Sequence, residues 1–222
     1  MMRDKKRIAS HIASFCPFRG DRCYTKIKIL SDPLYEGVYQ ELENRNNALL
    51  DVGCGLGILA LYLRERGWLA PCVGFDYDQR KIEDGKKIIA LGIYQNIQLI
   101  HGDARVDLPP HQGDVTILDI LQFFEPTEQE KFLRTAAKKV CPGGKLILRS
   151  GLRQKNLRFF LTWLGDVFAK VTFWMKAAPT HYPTAQFFHT VLEDEGFALE
   201  IRPFWGKTPF NNYLIVATRM KD

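Results

Sequence analysis

Between residues 48 and 150, short apolar, β-branched runs alternate with longer stretches whose apolar positions recur at helical spacing. Such alternation marks βαβ units feeding a parallel sheet, because strands buried on both faces read as near-continuous apolar runs and crossover helices as amphipathic ones. It predicts strands at 48–52, 71–76, 97–101, 115–119 and 145–149. Leu59, Leu61, Tyr62 and Leu63 mark a helix over 56–66 that Gly67 stops, and a second helix is predicted over 78–91 before Gly92. A third is predicted over 127–140, with Thr127 as its cap, Glu130 as the box partner and Pro142-Gly143-Gly144 as its end.

The flanks differ in kind. Asp32-Pro33 is a helix start, the carboxylate capping and the proline supplying a preset φ, so a helix should run to about residue 43. After the fifth strand come an aromatic segment, a helix over 184–195 closed by Gly196, and two strands at 197–202 and 213–218. A loop containing Pro and Gly joins these last two, which predicts an antiparallel pair. No internal repeat or low-complexity tract interrupts the pattern. The predicted class is α/β, a doubly wound and mostly parallel seven-stranded sheet, with an N-terminal helical extension over 1–45 and the main domain over 46–222.

Composition narrows this little: 46% hydrophobic and 25% charged residues exclude disordered, collagenous and membrane-spanning classes. The nearest approach to a membrane span, 157–178, is short and broken by Asp166, Lys170 and Lys176, so it is expected to be a sticky helix and not a crossing. Five scattered cysteines, with no Cys-x-x-Cys pair and no histidine at metal spacing, argue against disulfides and zinc, and no metal is expected. The start of the chain has basic residues but no apolar run behind them, so it does not resemble a secretory signal, and the cytoplasm is expected. The formal charge of +6 has its densest piece in Arg3-Asp4-Lys5-Lys6-Arg7, either a solvated terminus or an attraction for an anionic partner such as an acidic carrier protein, nucleic acid or lipid headgroups. No basic stripe interleaved with aromatics points to RNA, and no nucleic-acid partner is expected.

The chemistry concentrates in Asp51-Val52-Gly53-Cys54-Gly55-Leu56-Gly57, which follows a buried strand and opens a helix. That is the crossover at which doubly wound sheets hold nucleotide-like ligands. A dinucleotide fingerprint spaces its third glycine farther along, which argues against NAD, and no Gly-Lys-Ser/Thr follows, which excludes a phosphate-cradling P-loop. About 20 residues on, Asp76 ends the second strand in Val73-Gly74-Phe75-Asp76, where a carboxylate can accept hydrogen bonds from both ribose hydroxyls, and Tyr77 follows it.

With these residues the chain resembles the class I S-adenosylmethionine-dependent methyltransferases, whose first motif sets an acidic residue before Gly-x-Gly-x-Gly. The resemblance implies a Rossmann-like fold, S-adenosyl-L-methionine as cofactor and S-adenosyl-L-homocysteine as product. It implies that Gly53, Cys54, Gly55 and Gly57 pass the methionyl part, with Asp51 near its amino group, that Tyr77 borders the adenine, and that Asp103 and Ala104 of His101-Gly102-Asp103-Ala104 read the adenine amino group. Asp119 and Ile120, in Asp119-Ile120-Leu121-Gln122 at the end of the fourth strand, would edge the pocket closest to the transferred methyl. Pro142-Gly143-Gly144-Lys145-Leu146 matches the family's turn into its fifth strand. Each carboxylate also has a plain alternative: Asp51 braces the loop, Asp76 ends a strand, Asp103 forms a turn and Asp119 caps one.

Methyl transfer from a sulfonium is an in-line displacement, so alignment and exclusion of water dominate and a base is needed only for some acceptors. No Asn-Pro-Pro-Tyr follows the fourth strand, which disfavours planar nitrogens as acceptors, and Gln122 stands where small-molecule and lipid methyltransferases often have histidine. Asp119, His181, Tyr182 and His189 are the weak candidates for catalysis. Phe159, Phe160, Trp163, Phe168, Phe173 and Trp174 crowd a segment, about 153–183, that is either a helix packed on the core or a lid over an apolar acceptor, resting on a membrane surface in one version. Lys28-Ile29-Leu30-Ser31-Asp32-Pro33-Leu34-Tyr35 and Gly206-Lys207-Thr208-Pro209-Phe210-Asn211-Asn212-Tyr213-Leu214 resemble a bacterial subgroup associated with aryl polyene or fatty-acid-like biosynthesis. That implies a hydrophobic small-molecule or acyl-type substrate, in one version held on an acidic carrier protein. The competing expectations are a cofactor-binding scaffold or regulatory subunit that transfers nothing and, motivated only by the net charge, a nucleic-acid methyltransferase.

Overall fold

A computed structural model describes residues 2–154, 157–171 and 181–221. The chain divides into two compact units, Met1–Gly113 and Asp114–Asp222. The first carries α1 (Met2–Ser14), α2 (Arg19–Ser31), α3 (Leu34–Leu42), β1 (Leu49–Val52), α4 (Ile58–Glu65), β2 (Cys72–Asp76), α5 (Gln79–Leu91) and β3 (Ile97–His101). Its strands run parallel in the order β3-β2-β1, with Leu50 opposite Val73 and Gly74 opposite Leu99. All four residues of β1 are buried, as its unbroken apolar run requires.

The helical stretch expected as an extension is built into this unit. Ile8, Ala9, Ile12 and Ala13 of α1 are buried, and the Glu65 carboxylate at the end of α4 accepts from Tyr94 at 2.8 Å, meets His11 at 2.8 Å and pairs with Arg7 at 3.3 Å. Burial and the neighbouring Glu65 carboxylate push the Tyr94 hydroxyl well up, so it stays a donor. At the start of α3, Asp32 Oδ1 accepts the Leu34 amide at 3.0 Å, the capping role its place before Pro33 predicted. Sequence periodicity delimited neither α1 nor α2.

The second unit carries β4 (Asp114–Leu118), a 3-10 turn (Leu121–Phe123), α6 (Pro126–Ala137), β5 (Lys145–Gly151), α7 (Leu157–Val171), α8 (Ala185–Asp194), β6 (Phe197–Pro203) and β7 (Asn212–Arg219). β4 and β5 are parallel, and the order continues to β7 and β6 as an antiparallel pair, with Leu148 opposite Ile215 and Ile201 opposite Ile215 in turn. Seven strands thus lie among the described residues, five parallel and two antiparallel, as the sequence pattern predicted.

One helix start is corrected. α6 begins at Pro126, and Glu128 accepts the Glu125 amide at 3.1 Å, so the box is Glu125 with Glu128 and not Thr127 with Glu130. Pro126 decides this, since its fixed φ suits the first helical position and its missing N–H costs nothing there. Glu130 faces Arg134 instead, at 3.0 Å. α8 starts as predicted, with Thr184 Oγ1 accepting the Phe187 amide at 3.2 Å. Of the aromatic segment, Phe173 and Trp174 lie outside the described residues, and Phe168 is described only by its place along α7. Among the described residues no helix is long and apolar enough to cross a membrane.

Candidate functional site

In the first unit the loop after β1 makes three left-handed turns in five residues, with φ of 79° at Gly53, 55° at Gly55 and 75° at Gly57. A side chain at any of them would be strained, so the glycine spacing follows from backbone geometry. The loop is fastened to the end of β2: the Gly53 amide donates to the Phe75 carbonyl at 2.7 Å, and the Gly55 amide donates to Asp76 Oδ2 at 2.8 Å. Asp76 Oδ1 accepts the Asp78 amide at 2.8 Å, and the Asp76 carbonyl accepts from Gly102 at 3.0 Å. The ends of all three parallel strands therefore meet at one buried residue, Asp76, the carboxylate bound from the β1 loop and its backbone carbonyl from the end of β3. Each carboxylate oxygen accepts one backbone amide and keeps a lone-pair direction for a ligand hydroxyl.

Close packing holds this junction. Leu99 of β3 touches the places where side chains would stand at Gly57, Gly74 and Gly85: added Cβ atoms would come within 3.2, 2.5 and 2.5 Å of its methyls. Gly74 also leaves room for Cys54, whose Sγ would be 2.8 Å from such a Cβ. Burial, and then the carboxylates of Asp51 and Asp76, push the Cys54 thiol well up, so it is a neutral group in a negative field. The same field favours a cationic ligand, as a sulfonium with an α-ammonium is. Asp51 is buried within β1, and Tyr77 is half exposed, its carbonyl 3.1 Å from His101 Nε2.

Asp103 follows β3 but its carboxylate turns back to Arg105, accepting from the backbone amide at 2.9 Å and from Nε at 3.0 Å. That guanidinium holds the carboxyl below its usual range. The side chain is thus engaged by its own neighbour. A hollow of about 460 Å³ between α5 and β3 is lined by Ile89, Ile93, Tyr94 and Leu99 and by none of the residues expected to hold a ligand.

In the second unit Asp119 follows β4 with φ of 61°, a conformation Asp tolerates better than most side chains. Arg149, buried in the middle of β5, donates through Nε to Asp119 Oδ1 at 2.6 Å and through Nη2 to Oδ2. Sequence reasoning missed this partner; a lone arginine inside Leu146-Ile147-Leu148-Arg149-Ser150 was its only signal. Missed too was Gln129, whose buried amide donates to the carbonyls of Leu121 at 3.0 Å, Phe124 at 3.1 Å and His181 at 2.8 Å, pinning the turn after β4 to the chain ahead of α8. Gln122 is buried and Ile120 half-buried in that turn.

The candidates for catalysis separate. His181 is exposed, with Nδ1 3.3 Å from Glu125, and His189 pairs with Glu193 at 2.7 Å on the surface of α8. Tyr182 turns inward, its ring 3.3 Å from the place of a Cβ on Gly151 at the end of β5 and edge-on to Phe159 at 5.1 Å. Beside it Asn211, fully buried, donates to the Leu152 carbonyl at 2.8 Å and to Gln154 Oε1 at 3.2 Å, which fixes its amide orientation. Its Oδ1 meets no hydrogen-bond donor among the described residues. Among those residues no cluster of side chains could hold a metal ion.

Residues 49–144 match the model of a methyltransferase domain. The matched segment covers less than half of the chain. It holds the glycine loop, Asp76, Asp103 and Asp119, and the cofactor of such domains is S-adenosylmethionine. A carboxy-S-adenosyl-L-methionine synthase from Shewanella pealeana is 26% identical over 121 residues, 53% of this chain and 49% of that protein. The chain thus spans about half the length of the curated relatives it matches. Two solved structures share the fold: an O-methyltransferase family protein from Burkholderia thailandensis, with a TM-score of 0.69 and 20% identity over 90% of this chain and 59% of that one, and the magnesium protoporphyrin IX methyltransferase of Synechocystis PCC 6803 with bound SAH, with a TM-score of 0.67 and 20% identity over 88% and 87%. The Rossmann-like methyltransferase fold is shared across nearly the whole chain.

Proposed function

We propose that this protein transfers a methyl group from S-adenosylmethionine to a small or lipid-like hydrophobic acceptor. The observation that carries the acceptor class is the end of β5, where the Tyr182 ring packs on Gly151 and edge-on to Phe159 and the next residue, Leu152, holds the amide of Asn211 through its carbonyl. The carboxyl ends of parallel strands are where open α/β sheets take ligands. An apolar wall with one unmet buried acceptor suits an aromatic or acyl chain that carries a hydroxyl or N–H.

In the first unit Asp76 binds the ribose hydroxyls with its remaining lone pairs, the Asp51 and Asp76 field favours the cationic end, and the three glycines let backbone approach without a Cβ between. Bound S-adenosylmethionine supplies an electrophilic methyl on a sulfonium. The chain's own work is alignment and exclusion of water, which account for most of the rate in such a displacement. Asp119 positions the turn after β4, since both of its oxygens face Arg149. The signatures at 28–35 and 206–214 extend the reading to an aryl polyene or acyl chain, presented on an acidic carrier protein.

The test is release of S-adenosylhomocysteine over a panel of apolar hydroxy and carboxy compounds, free and carrier-bound, beside RNA and ribosomal proteins. Turnover confined to the apolar panel is expected, with turnover reduced by Asn211→Leu. Turnover only on RNA or protein would sink the acceptor class. Cofactor binding without turnover on any fraction of a cell extract would establish the scaffold instead.

A further inference from the structure

The chain's charge is concentrated in one place. Residues 1–31 hold eight Lys and Arg against two Asp, an excess of six that equals the formal +6 of the whole chain, so residues 32–222 are balanced. These residues form α1 and α2, which pack through Ile8, Ile12, Cys16, Thr25 and Ile29, and Arg22 Nε ties the turn between them by donating to the Cys16 carbonyl at 2.7 Å. The outer face of α2 is thereby fixed.

On that face Arg19, Arg22, Cys23, Lys26, Ile27 and Leu30 are all exposed, at the three- and four-residue steps that place side chains in one stripe. Ile27 is 59% exposed and Leu30 46%, and Phe18, just ahead of the helix, is 56% exposed. Arg19 and Lys26 form no ion pair among the described residues. Large apolar groups standing in water beside unpaired cations match a surface that is apolar a few ångströms down and anionic at its rim. That is the profile of an anionic bilayer: apolar side chains enter the acyl boundary while Lys and Arg stems reach back to the headgroups. A protein partner fits less well, because protein interface cores are depleted in lysine and Lys26 sits mid-stripe.

We propose that the outer face of α2, with Phe18, is a docking surface for an anionic lipid bilayer. It would hold the enzyme where lipid-like acceptors partition, but it does not depend on the acceptor assignment. Each basic residue near such a surface strengthens binding by about fivefold, and buried methylene groups add to it.

The experiment is co-sedimentation of the full chain with vesicles of equimolar phosphatidylcholine and phosphatidylglycerol, against phosphatidylcholine alone, at low and physiological salt. The protein is expected to sediment only with the anionic vesicles and less at higher salt. Arg19→Gln with Lys26→Gln should weaken binding by roughly 25-fold, and Ile27→Ser with Leu30→Ser by more than about tenfold. S-adenosylhomocysteine affinity and thermal melting should be unchanged in both pairs, which separates loss of docking from misfolding. Equal binding to neutral vesicles overturns the proposal, as does wild-type binding in either variant. So does tighter association with an acidic carrier protein or RNA than with the anionic vesicles.

Discussion

Two aspartates stand at the ends of parallel strands, one in each unit, and their surroundings give them different work. Among the described residues the Asp76 carboxylate is met by backbone amides alone, those of Gly55 and Asp78, one on each oxygen. Asp119 is met by a buried guanidinium that takes both oxygens at once. An amide is a dipole fixed by the fold, so it holds a carboxylate in place and leaves charge and lone pairs for a ligand. A guanidinium is a full charge that itself needs neutralising, so the carboxylate facing it serves the fold first. Equivalent positions in the strand pattern thus separate into a carboxylate with lone pairs to spare and a bracing one.

The largest effect that can break this contrast is Asp119→Ala. Taking away the carboxylate that the buried Arg149 guanidinium faces should cost up to about 3–5 kcal/mol, read as a lower urea midpoint and a fall in Tm of the order of 10 °C. Charge removal at Asp76 should act elsewhere: Asp76→Asn keeps the shape but weakens charge-assisted bonds of about 1.5–3 kcal/mol, so calorimetric S-adenosylhomocysteine affinity should drop by tenfold or more with a smaller change in melting. A variant pair with these two outcomes exchanged would show that the two roles have been reversed.

A finer probe uses Cys54. Its thiol is raised by burial and by two carboxylates, so it should stay unreactive to iodoacetamide at mildly alkaline pH while exposed Cys23 is labelled. Asp76→Asn removes one of those negative charges and should bring Cys54 labelling up by a few-fold, read by peptide mass spectrometry. The smallest effect belongs to Asp103. Its depressed carboxyl contributes stability that is present above the ordinary carboxylate range and lost as pH falls through the lowered value. Because the pair is partly exposed, Arg105→Ala should cost no more than about 0.5 kcal/mol at neutral pH, with the Asp103 titration seen by NMR moving up toward its usual position.

The glycine loop and the five parallel strands were legible because they are local: a turn with three left-handed residues admits little but glycine, and strands buried on both faces cannot hide their apolar runs. The start of α6 was misplaced by one residue because two acidic boxes overlap there and only the proline chooses between them. Arg149 and Gln129 were not legible at all, since their partners lie 30 and 52 residues away and nothing in the nearby sequence marks them. The contact of Asp103 with Arg105 is local by contrast, and it agrees with the plain turn-forming alternative for that residue.

Leu99 adds a consequence for how such sequences diverge. Its two methyls occupy space left by glycines on the loop, on β2 and on α5, so four positions far apart in the chain share one volume. None of them can drift alone. Lineages that gain a side chain at position 74 should carry smaller residues at both 99 and 54, and the loop after β1 should inherit that history.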